Sequence, residues 1–431
     1  LDGPRRRKRM KFSKVSGPPA TGLRRWGRLS QLFLVSMIGL LVATLLSACQ
    51  LVTIDFVYLA GDFTTASSSN GGIMVLAADS QSGALRFAAN TDINKPVDSG
   101  GPSPVALATS GDYANLYVAN QGNNSVVHFS IANDGSVTKK DSVTLADPPS
   151  HLAVNAAGTY LFVVSGTTSA TLTVYTLSSG AIGSAATQEP LTVPGFPTDN
   201  LVPTGVAALA NNSAVYVTVY DQSAYNPGGT TTSTANPGWI FGFSVGSGGA
   251  LTPAQGSPYK AGVKPTAVAA DPTSRFIYVT DYASNQLVGY GVQSTGALNF
   301  LINGPFKTGA EPAAVTVDPR GKFLYVANSL DSSVSSYLID LATGTPSAAV
   351  NVTGNSINAT DTNPVSIVVD PALGRYVYTA NFLGDSISGF RINPNAGSLS
   401  PAQATPYPTG PKPTAIACIP HGNHAIQSVT P

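Results

Sequence analysis

PAAVTVDPRGKFLYVANSLDSS, residues 312–333, is the unit that the rest of the chain repeats. Residues 313–317 are small or β-branched and predict a short strand, and residues 322–327 predict a second strand. The sequence DPRG at 318–321 favours a type I turn between them, because proline presets φ and the aspartate can bond the backbone ahead of it. A polar loop opened by Asn328 follows the second strand.

Prolines mark further copies of this unit along the chain. Close copies begin at Pro265 (PTAVAADPTSRFIYVTD) and Pro364 (PVSIVVDPALGRYVYTAN), more divergent ones at Pro104, Pro149 and Pro203, and a truncated one at Pro413. A repeat of about 50 residues built from strands and turns is typical of a β-propeller, in which each repeat forms one blade. The prolines, together with Pro312, therefore predict seven blades.

The two ends of the chain complement each other. Residues 56–60, 73–76 and 84–87 predict three strands of a blade that lacks its innermost strand. Residues 414–418 can supply that strand, and pairing the termini would remove an open sheet edge. The prediction is an all-β, seven-bladed β-propeller of four-stranded antiparallel blades over residues 55–431, with the first blade closed by the C-terminal strand.

Residues 1–48 have the composition of an export signal. Ten Lys and Arg residues precede an apolar run at 32–46, which is the arrangement of a secretory signal peptide. The sequence LSAC at 46–49 resembles a bacterial lipobox, and the resemblance implies lipidation of Cys49 and a lipid-anchored tether over residues 49–54. An uncleaved membrane anchor is disfavoured, because the run is shorter than the ~20 residues that span a bilayer. We expect an exported, membrane-anchored lipoprotein, on the periplasmic face of an outer membrane or at the cell surface.

The charge of the predicted mature chain argues against nucleic acid as a partner. The leader holds ten of the 23 basic residues and one of the 22 acidic residues, which leaves a net charge of −8. A mildly acidic surface provides no electrostatic attraction for a polyanion. The expected partners are the membrane, through the lipid anchor, and a ligand of the propeller.

One face of the predicted propeller gathers the candidate binding residues. In a four-stranded antiparallel blade, the approach to the inner strand and the connection between the second and third strands lie on the same face, here called the loop face. The candidates are His151, Lys264, Glu311 and Lys412 near the approaches, and Asn120, Asp281, Asn328 and Asn381 in the connections. The alternative for the Asn and Asp residues is turn stabilisation, which every repeat needs. Two long connections, 61–72 and 221–238, map to the same face, where we expect an unidentified small molecule or protein to bind.

No motif for metal or cofactor chemistry accompanies these residues. The sequence lacks HExxH, CxxC, a Gly-Lys-Ser/Thr loop and GxSxG, so we predict no cofactor and no metal, and assign no catalytic residue. His421 and His424 could chelate a metal, but a solvated turn is the favoured interpretation. Cys418 lies in an apolar segment and is interpreted as a buried small residue, and no disulfide is expected.

Strand-end motifs carry a resemblance to a known family. The elements YVAN at 117–120 and 325–328, and YVTD at 278–281, are similar to the YVTN repeat. Over nearly all of residues 55–420 the chain resembles the lactonase family of seven-bladed β-propellers, which includes bacterial 6-phosphogluconolactonase. The resemblance implies that catalytic members project His and Arg side chains from the starts of inner strands. The corresponding positions here hold Gly205, Thr266 and Ala267.

Two functions follow from these observations. The lack of basic side chains at those positions favours an exported, lipid-anchored binding or interaction scaffold. The alternative is a lactonase, a 6-phosphogluconolactonase-like hydrolase that acts on an extracytoplasmic lactone at the loop face. Convergence of His151, Lys264, Glu311 and Lys412 at the mouth of the central axis would favour the enzyme.

Overall fold

Seven antiparallel sheets form the part of the chain that the structure describes. The computed structural model covers residues 52–63, 69–195, 200–225 and 237–422 in describable detail. Within these ranges it contains 33 strands and two short 3₁₀ helices, Gln121–Asn123 and Ser247–Gly249. The sheets form seven blades in a ring, which confirms the predicted propeller. The predicted signal peptide, Cys49 and His424 lie outside the described residues.

The blades are numbered in chain order, and their strands are given from the central axis outward. Blade 1 contains Pro413–Pro420, Thr53–Gly61, Gly72–Asp79, Leu85–Phe87 and a short additional strand, Val97–Asp98. Blade 2 contains Pro104–Thr109, Asn115–Asn120, Ser125–Ile131 and Val137–Thr144. Blade 3 contains Pro149–Val154, Tyr160–Ser165, Thr171–Ser178 and Ala181–Pro190.

The remaining four blades each have a split outer edge. Blade 4 contains Leu201–Ala208, Ala214–Asp221, Gly238–Val245, Leu251–Pro253 and Tyr259–Lys260. Blade 5 contains Pro265–Ala270, Phe276–Asp281, Gln286–Val292, Leu298–Phe300 and Phe306–Lys307. Blade 6 contains Pro312–Val317, Phe323–Asn328, Ser333–Ile339, Pro346–Ala348 and Ile357–Ala359. Blade 7 contains Pro364–Val369, Tyr376–Asn381, Ser386–Ile392, Leu399–Pro401 and Tyr407–Pro408.

The C-terminal strand closes the ring as predicted. It pairs antiparallel with the first strand of the chain, with Asp55 opposite Pro420 and Leu59 opposite Ile416. Each inner strand contacts the inner strand of the next blade, and the one in blade 7 contacts Pro413–Pro420. The first strand begins at Thr53, so the last two residues of the predicted tether belong to the sheet.

Burial differs between the inner and second strands because of their radial positions. Second strands such as Phe276–Asp281 and Phe323–Asn328 are buried at every residue, since neighbouring blades cover both of their faces. Inner strands such as Pro265–Ala270 remain partly exposed after their first residue. The small residues of the inner strands therefore surround a central channel that solvent reaches.

A tyrosine in the second strand joins each blade to the next in six of the seven blades. Its hydroxyl donates a hydrogen bond to the carbonyl of a glycine in the turn between the third and outer strands of the following blade. The six bonds run from Tyr58 to Gly135 (2.9 Å), Tyr117 to Gly180 (2.6 Å), Tyr216 to Gly296 (2.8 Å), Tyr278 to Gly344 (2.7 Å), Tyr325 to Gly397 (2.8 Å) and Tyr378 to Gly83 (2.9 Å). These tyrosine–glycine bonds give the repeated tyrosine a structural role, because a buried hydroxyl needs a partner.

Blade 3 replaces this bond with a different one. Phe162 occupies the tyrosine position, and the carbonyl of Gly249 in blade 4 instead accepts a hydrogen bond of 2.9 Å from the hydroxyl of Thr187 in the outer strand.

The glycine that accepts the tyrosine bond cannot be varied freely in the other turns. At Gly397 φ is +69°, and an added Cβ would lie 2.3 Å from Cδ1 of Phe323, so this turn requires glycine.

The seam between blades 7 and 1 contains a buried pair of acidic residues. Asp55 and Asp370 are both fully buried, and backbone N–H groups of Ala372, Leu373 and Arg375 donate to Asp370. No N–H or O–H group of the described chain donates to the oxygens of Asp55. Burial, followed by the charge of the nearby Asp370, raises the pKa of Asp55 well above its usual range. The fold therefore favours the protonated form of the Asp55 carboxyl group.

A candidate binding site at the mouth of the channel

The residue before each inner-strand proline lies at the loop-face end of the central channel. In blades 2 to 7 and then blade 1 these residues are Ser103, Pro148, Val202, Lys264, Glu311, Asn363 and Lys412. Six residue types occupy these seven positions, and only lysine occurs twice, although the strands around them repeat. The chemistry of the channel mouth therefore varies from blade to blade.

Four of the seven residues at the mouth, in adjacent blades, adopt a strained backbone. The φ angles of Glu311, Asn363, Lys412 and Ser103 are +54°, +60°, +53° and +51°, which is unfavourable for residues other than glycine and more so before proline. For the first three of them, a side chain at the end of the preceding blade's loop accepts a hydrogen bond from the backbone N–H. The acceptors are Asn285 for Glu311 (2.8 Å), Ser332 for Asn363 (3.3 Å) and Asp385 for Lys412 (2.8 Å). Strain of this kind is concentrated at functional sites in proteins.

Three tyrosine rings surround the ammonium group of Lys264. Its Nζ lies 5.5 Å from the ring centroid of Tyr220, 4.8 Å from that of Tyr225 and 4.5 Å from that of Tyr282. All three distances are within the range of cation–π attraction. Lys264 and the tyrosines are partly exposed, and burial lowers the pKa of Lys264 while the nearby Glu311 carboxylate opposes that shift. Blades 4 and 5 thus place a cation at the mouth within an aromatic surround.

Blade 6 places a carboxylate beside this group. The phenol of Tyr282 lies next to the carboxylate of Glu311 and the hydroxyl of Ser329; burial and then Glu311 raise the pKa of Tyr282 to about 12. The ion pairs found among the described residues are His128–Asp141 and Arg320–Asp318, so Lys264 and Glu311 are close without a direct ion pair. The mouth therefore combines a cation, a carboxylate and a protonated phenol in one cluster.

The candidate Asn and Asp residues of the loop face are completely buried. Asn120, Asp281, Asn328 and Asn381 each have 0% exposure, so they do not present their side chains to solvent. Asp281 accepts hydrogen bonds from the backbone N–H groups of Val263 (3.0 Å) and Lys264 (2.9 Å). It therefore fixes the segment that carries Lys264, as turn chemistry would require.

The other three residues donate their amide hydrogens to neighbouring groups. Asn120 donates to the carbonyl of Ser99 (3.1 Å), Asn328 to the hydroxyls of Ser333 and Ser335, and Asn381 to those of Ser386 and Ser388. These bonds connect the end of the second strand to the third strand or to the approach. The structure thus gives these Asn side chains local structural partners.

His151 lies in the inner strand of blade 3, within the channel wall. It pairs with Val164 of the second strand, and its Nδ1 is buried without a hydrogen-bond partner in the described structure. Burial lowers the pKa of His151 to about 4, so the imidazole is neutral at pH 7. The cluster is formed by blades 4 to 6, and neither His151 nor the exposed Lys412 of blade 1 belongs to it.

The three tyrosines are the part of the cluster that the sequence analysis did not identify. Tyr220 and Tyr282 flank the strand-end residues Asp221 and Asp281, and Tyr225 opens the long connection of blade 4. Tyrosine on this face in two adjacent blades was a usable signal. Its meaning depended on the ring geometry, which brings Tyr220 and Tyr225 of blade 4 to the same lysine as Tyr282 of blade 5.

Three further observations on the described residues concern metal binding, membrane-spanning helices and the reactivity of a cysteine. No group of three or more His, Cys, Asp or Glu side chains in the described ranges is arranged to hold a metal ion. No helix in the same ranges is long and apolar enough to cross a membrane. Cys418 is a free, buried cysteine, and burial and then Asp55 and Asp370 raise its pKa well above the usual range. A thiol in this environment is a poor nucleophile.

The fold and the mouth define a propeller with a polar cluster over its central channel, and sequence comparison assigns the family. The model of the family described as "Lactonase, 7-bladed beta-propeller" matches residues 65–196 and 301–418. Because these segments make up more than half of the chain, the chain belongs to this lactonase family. No curated protein matches the sequence.

Solved structures show the same fold at low sequence identity. The periplasmic gluconolactonase of Pseudomonas aeruginosa has a TM-score of 0.67 at 18% identity, over 84% of this chain and 99% of that chain. A candidate 6-phosphogluconolactonase from Bacteroides uniformis has a TM-score of 0.66 at 16% identity, over 85% and 99% of the two chains. A protein from Lactobacillus plantarum gives 0.66 at 17% identity over 85% and 99%. These similarities establish a shared architecture.

Proposed function

We propose that the protein is a lactone hydrolase whose chemistry takes place at the loop-face mouth of the channel. Membership of the lactonase family supports this reaction class, and two of the similar structures are described as lactonases. The observation that carries the proposal is the cluster of Lys264, Tyr282 and Glu311, in which a cation and a carboxylate are close without neutralising each other. This departs from the inner-strand His and Arg positions that the family resemblance implied.

Each member of the cluster has a role in hydrolysis of a cyclic ester. The Glu311 carboxylate accepts a proton from water as the water oxygen attacks the carbonyl carbon. The Lys264 ammonium stabilises the negative charge that develops on the carbonyl oxygen. Collapse of the tetrahedral intermediate breaks the ring C–O bond, and the leaving alkoxide takes up the proton to give a hydroxy acid. Tyr282, with its pKa of about 12, remains protonated and holds Glu311 in position.

The test is hydrolysis of simple δ-lactones by the purified mature chain, followed by pH-stat titration of the acid released. Glu311→Gln removes the base, so we expect kcat/KM to fall about 100-fold or more. Lys264→Ala removes the electrostatic contribution, and we expect a loss of similar size. Lys260→Ala, on the outer edge of blade 4, is the matched control and should retain activity.

Two outcomes would contradict the proposal in different ways. Equal activity of Glu311→Gln and the control would place the chemistry elsewhere. Lactone binding without any acid release above the uncatalysed rate would favour the binding scaffold, which the three tyrosine rings could also serve.

We further propose that the protein acts outside the cytoplasm, attached to a membrane through Cys49. The basic and apolar composition of residues 1–48 and the sequence LSAC at 46–49 support this location. In that compartment the substrate would be an extracytoplasmic lactone.

A further inference from the structure

Two exposed leucines lie beside the proposed site on the loop face. Leu330 is 65% exposed and Leu383 is 63% exposed. They occupy the same position in the connections between the second and third strands of blades 6 and 7, two residues after the buried Asn328 and Asn381. Single exposed leucines are common on proteins, but here the same position on the loop face carries an exposed leucine in two adjacent blades.

Hydrogen bonds tie the connection that carries Leu330 directly to the site. The backbone N–H and the hydroxyl of Ser329 both donate to the carbonyl of Glu311, each at 2.9 Å. On the other side, Asn363 of blade 7 donates to the carbonyl of Ser329 at 3.3 Å. Leu330 therefore projects from a segment that is fixed against the proposed general base.

The same arrangement continues into blade 7. The backbone N–H of Phe382 donates to the carbonyl of Asn363 at 2.8 Å, which places Leu383 one residue further out. Phe382 is partly exposed. Leu330, Phe382 and Leu383 are thus exposed or partly exposed apolar residues of two adjacent blades, and the segments that carry them are hydrogen-bonded to the carbonyls of Glu311 and Asn363.

Several polar side chains near these residues are buried or engaged by the protein itself. Asn328 and Asn381 are fully buried and donate their amide hydrogens to serine hydroxyls, and the side chains of Ser332 and Asp385 accept hydrogen bonds from the backbone of the next blade. A polyhydroxylated ligand needs several polar partners, because each hydroxyl removed from water without one is unfavourable. An alkyl group needs only apolar contact.

We infer that the lactone taken by this site carries an apolar substituent, an alkyl or acyl chain, that lies on Leu330, Phe382 and Leu383. The inference rests on the proposed hydrolase function and specifies its substrate class. The lactone carbonyl lies at Lys264 and Glu311, and the chain extends toward blade 7. The preferred substrates are therefore alkyl-substituted lactones, and sugar lactones are poor ones.

The experiment compares δ-lactones of increasing alkyl chain length, from δ-valerolactone to δ-decalactone, with glucono-δ-lactone. We expect kcat/KM to rise with each methylene by up to about fourfold, the value for full burial of the group. Leu330→Ser combined with Leu383→Ser should flatten this dependence, so that the longer lactones lose their advantage over δ-valerolactone. The matched control is Leu341→Ser, since Leu341 is 42% exposed in a turn on the opposite face of blade 6; it should keep the full dependence.

The outcomes separate this inference from the function on which it rests. Fast hydrolysis of glucono-δ-lactone with no effect of chain length would overturn the inference and retain the hydrolase. Persistence of the chain-length effect in the double variant would also overturn it. If no lactone is hydrolysed, the matching δ-lactam series is measured by thermal shift: binding that tightens with chain length supports the apolar surface alone, and its absence refutes both proposals.

Discussion

At the scale of single residues, one hydroxyl group explains why tyrosine recurs in the second strand. In Tyr325 the hydroxyl bonds the carbonyl of Gly397, 72 positions along the chain. The repeat was evident in the sequence, but the role of the tyrosine was not, because its partner belongs to the next blade. The aromatic pattern alone was equally consistent with ordinary packing between sheets.

Tyr325→Phe tests this bond with little change in side-chain volume. The substitution leaves the buried carbonyl of Gly397 without its donor, so we expect the free energy of unfolding to fall by about 1–2 kcal/mol. Urea unfolding followed by fluorescence measures the change. Tyr160→Phe is the control, because Tyr160 is partly exposed and water can form hydrogen bonds with its hydroxyl. An equal loss in both variants would show that the hydroxyl of Tyr325 has no special role.

The carboxyl pair of Asp55 and Asp370 predicts a pH dependence of stability. The pKa of Asp55 is higher in the folded protein than its ordinary value of 3.8, so the folded state holds a proton that the unfolded state releases. This contribution to stability is complete below pH 3.8 and is lost as pH rises through the raised pKa. Asp55→Asn mimics the protonated form and removes that loss, and it should therefore stabilise the protein more at pH 8 than at pH 5.

Urea unfolding at the two pH values measures this difference. Asp134→Asn is the control of opposite sign, because bonds from Ser136 lower the pKa of the exposed Asp134. Its substitution should remove stability at both pH values. A uniform destabilisation by Asp55→Asn at pH 5 and pH 8 would rule out a raised pKa for Asp55.

At the scale of elements, the strands near the axis were predictable and the outer edges were not. Inner and second strands repeat because their packing is the same in every blade. The outermost strand of a blade pairs with a neighbour along one edge only, so its position is less constrained. In blades 4 to 7 two short strands pair with different parts of the same third strand. Leu298–Phe300 and Phe306–Lys307 show this around Gln286–Val292. The sequence contains no period for these segments.

The closing strand provides a prediction at this scale. Truncation after Gly410 removes Pro413–Pro420 and leaves the strand Thr53–Gly61 with an open edge. Burial of Ile416 and Ile419 alone contributes about 3–6 kcal/mol, so we expect loss of the cooperative melting transition. A chain ending at Gly422, which retains the strand, is the control and should melt like the full mature chain. Equal melting of both truncated chains would show that closure contributes little.

At the scale of the whole molecule, the propeller, its blade number and its closure were predictable because each repeats a local pattern. The face that carries the candidate site followed from strand topology. The composition of the cluster did not, because Tyr225, Lys264 and Glu311 come from three different blades and meet only in the closed ring. No local sequence motif encodes contacts between residues that lie so far apart along the chain.

The proposed membrane attachment is also a property of the whole chain. Lipidation at Cys49 predicts that cells expressing the full protein incorporate radiolabelled palmitate into it, and that Cys49→Ala abolishes the label. Cys418→Ala is the matched control and should remain labelled, because Cys418 is buried in the folded ring. Label retained in Cys49→Ala would refute the lipobox interpretation.

The variable residue before each inner-strand proline has a consequence for how such a protein can change over time. The tyrosine–glycine bonds and the buried Asn and Asp side chains maintain the ring, and none of them projects into the mouth. A propeller of this kind therefore has seven equivalent positions at which substitutions can change the chemistry of the mouth, because other residues maintain the stability of the ring. In this protein, the neutral residues Ser103 and Val202 occupy sites equivalent to those of Lys264 and Glu311. Those neutral positions are natural starting points for laboratory evolution of a second specificity on the same scaffold.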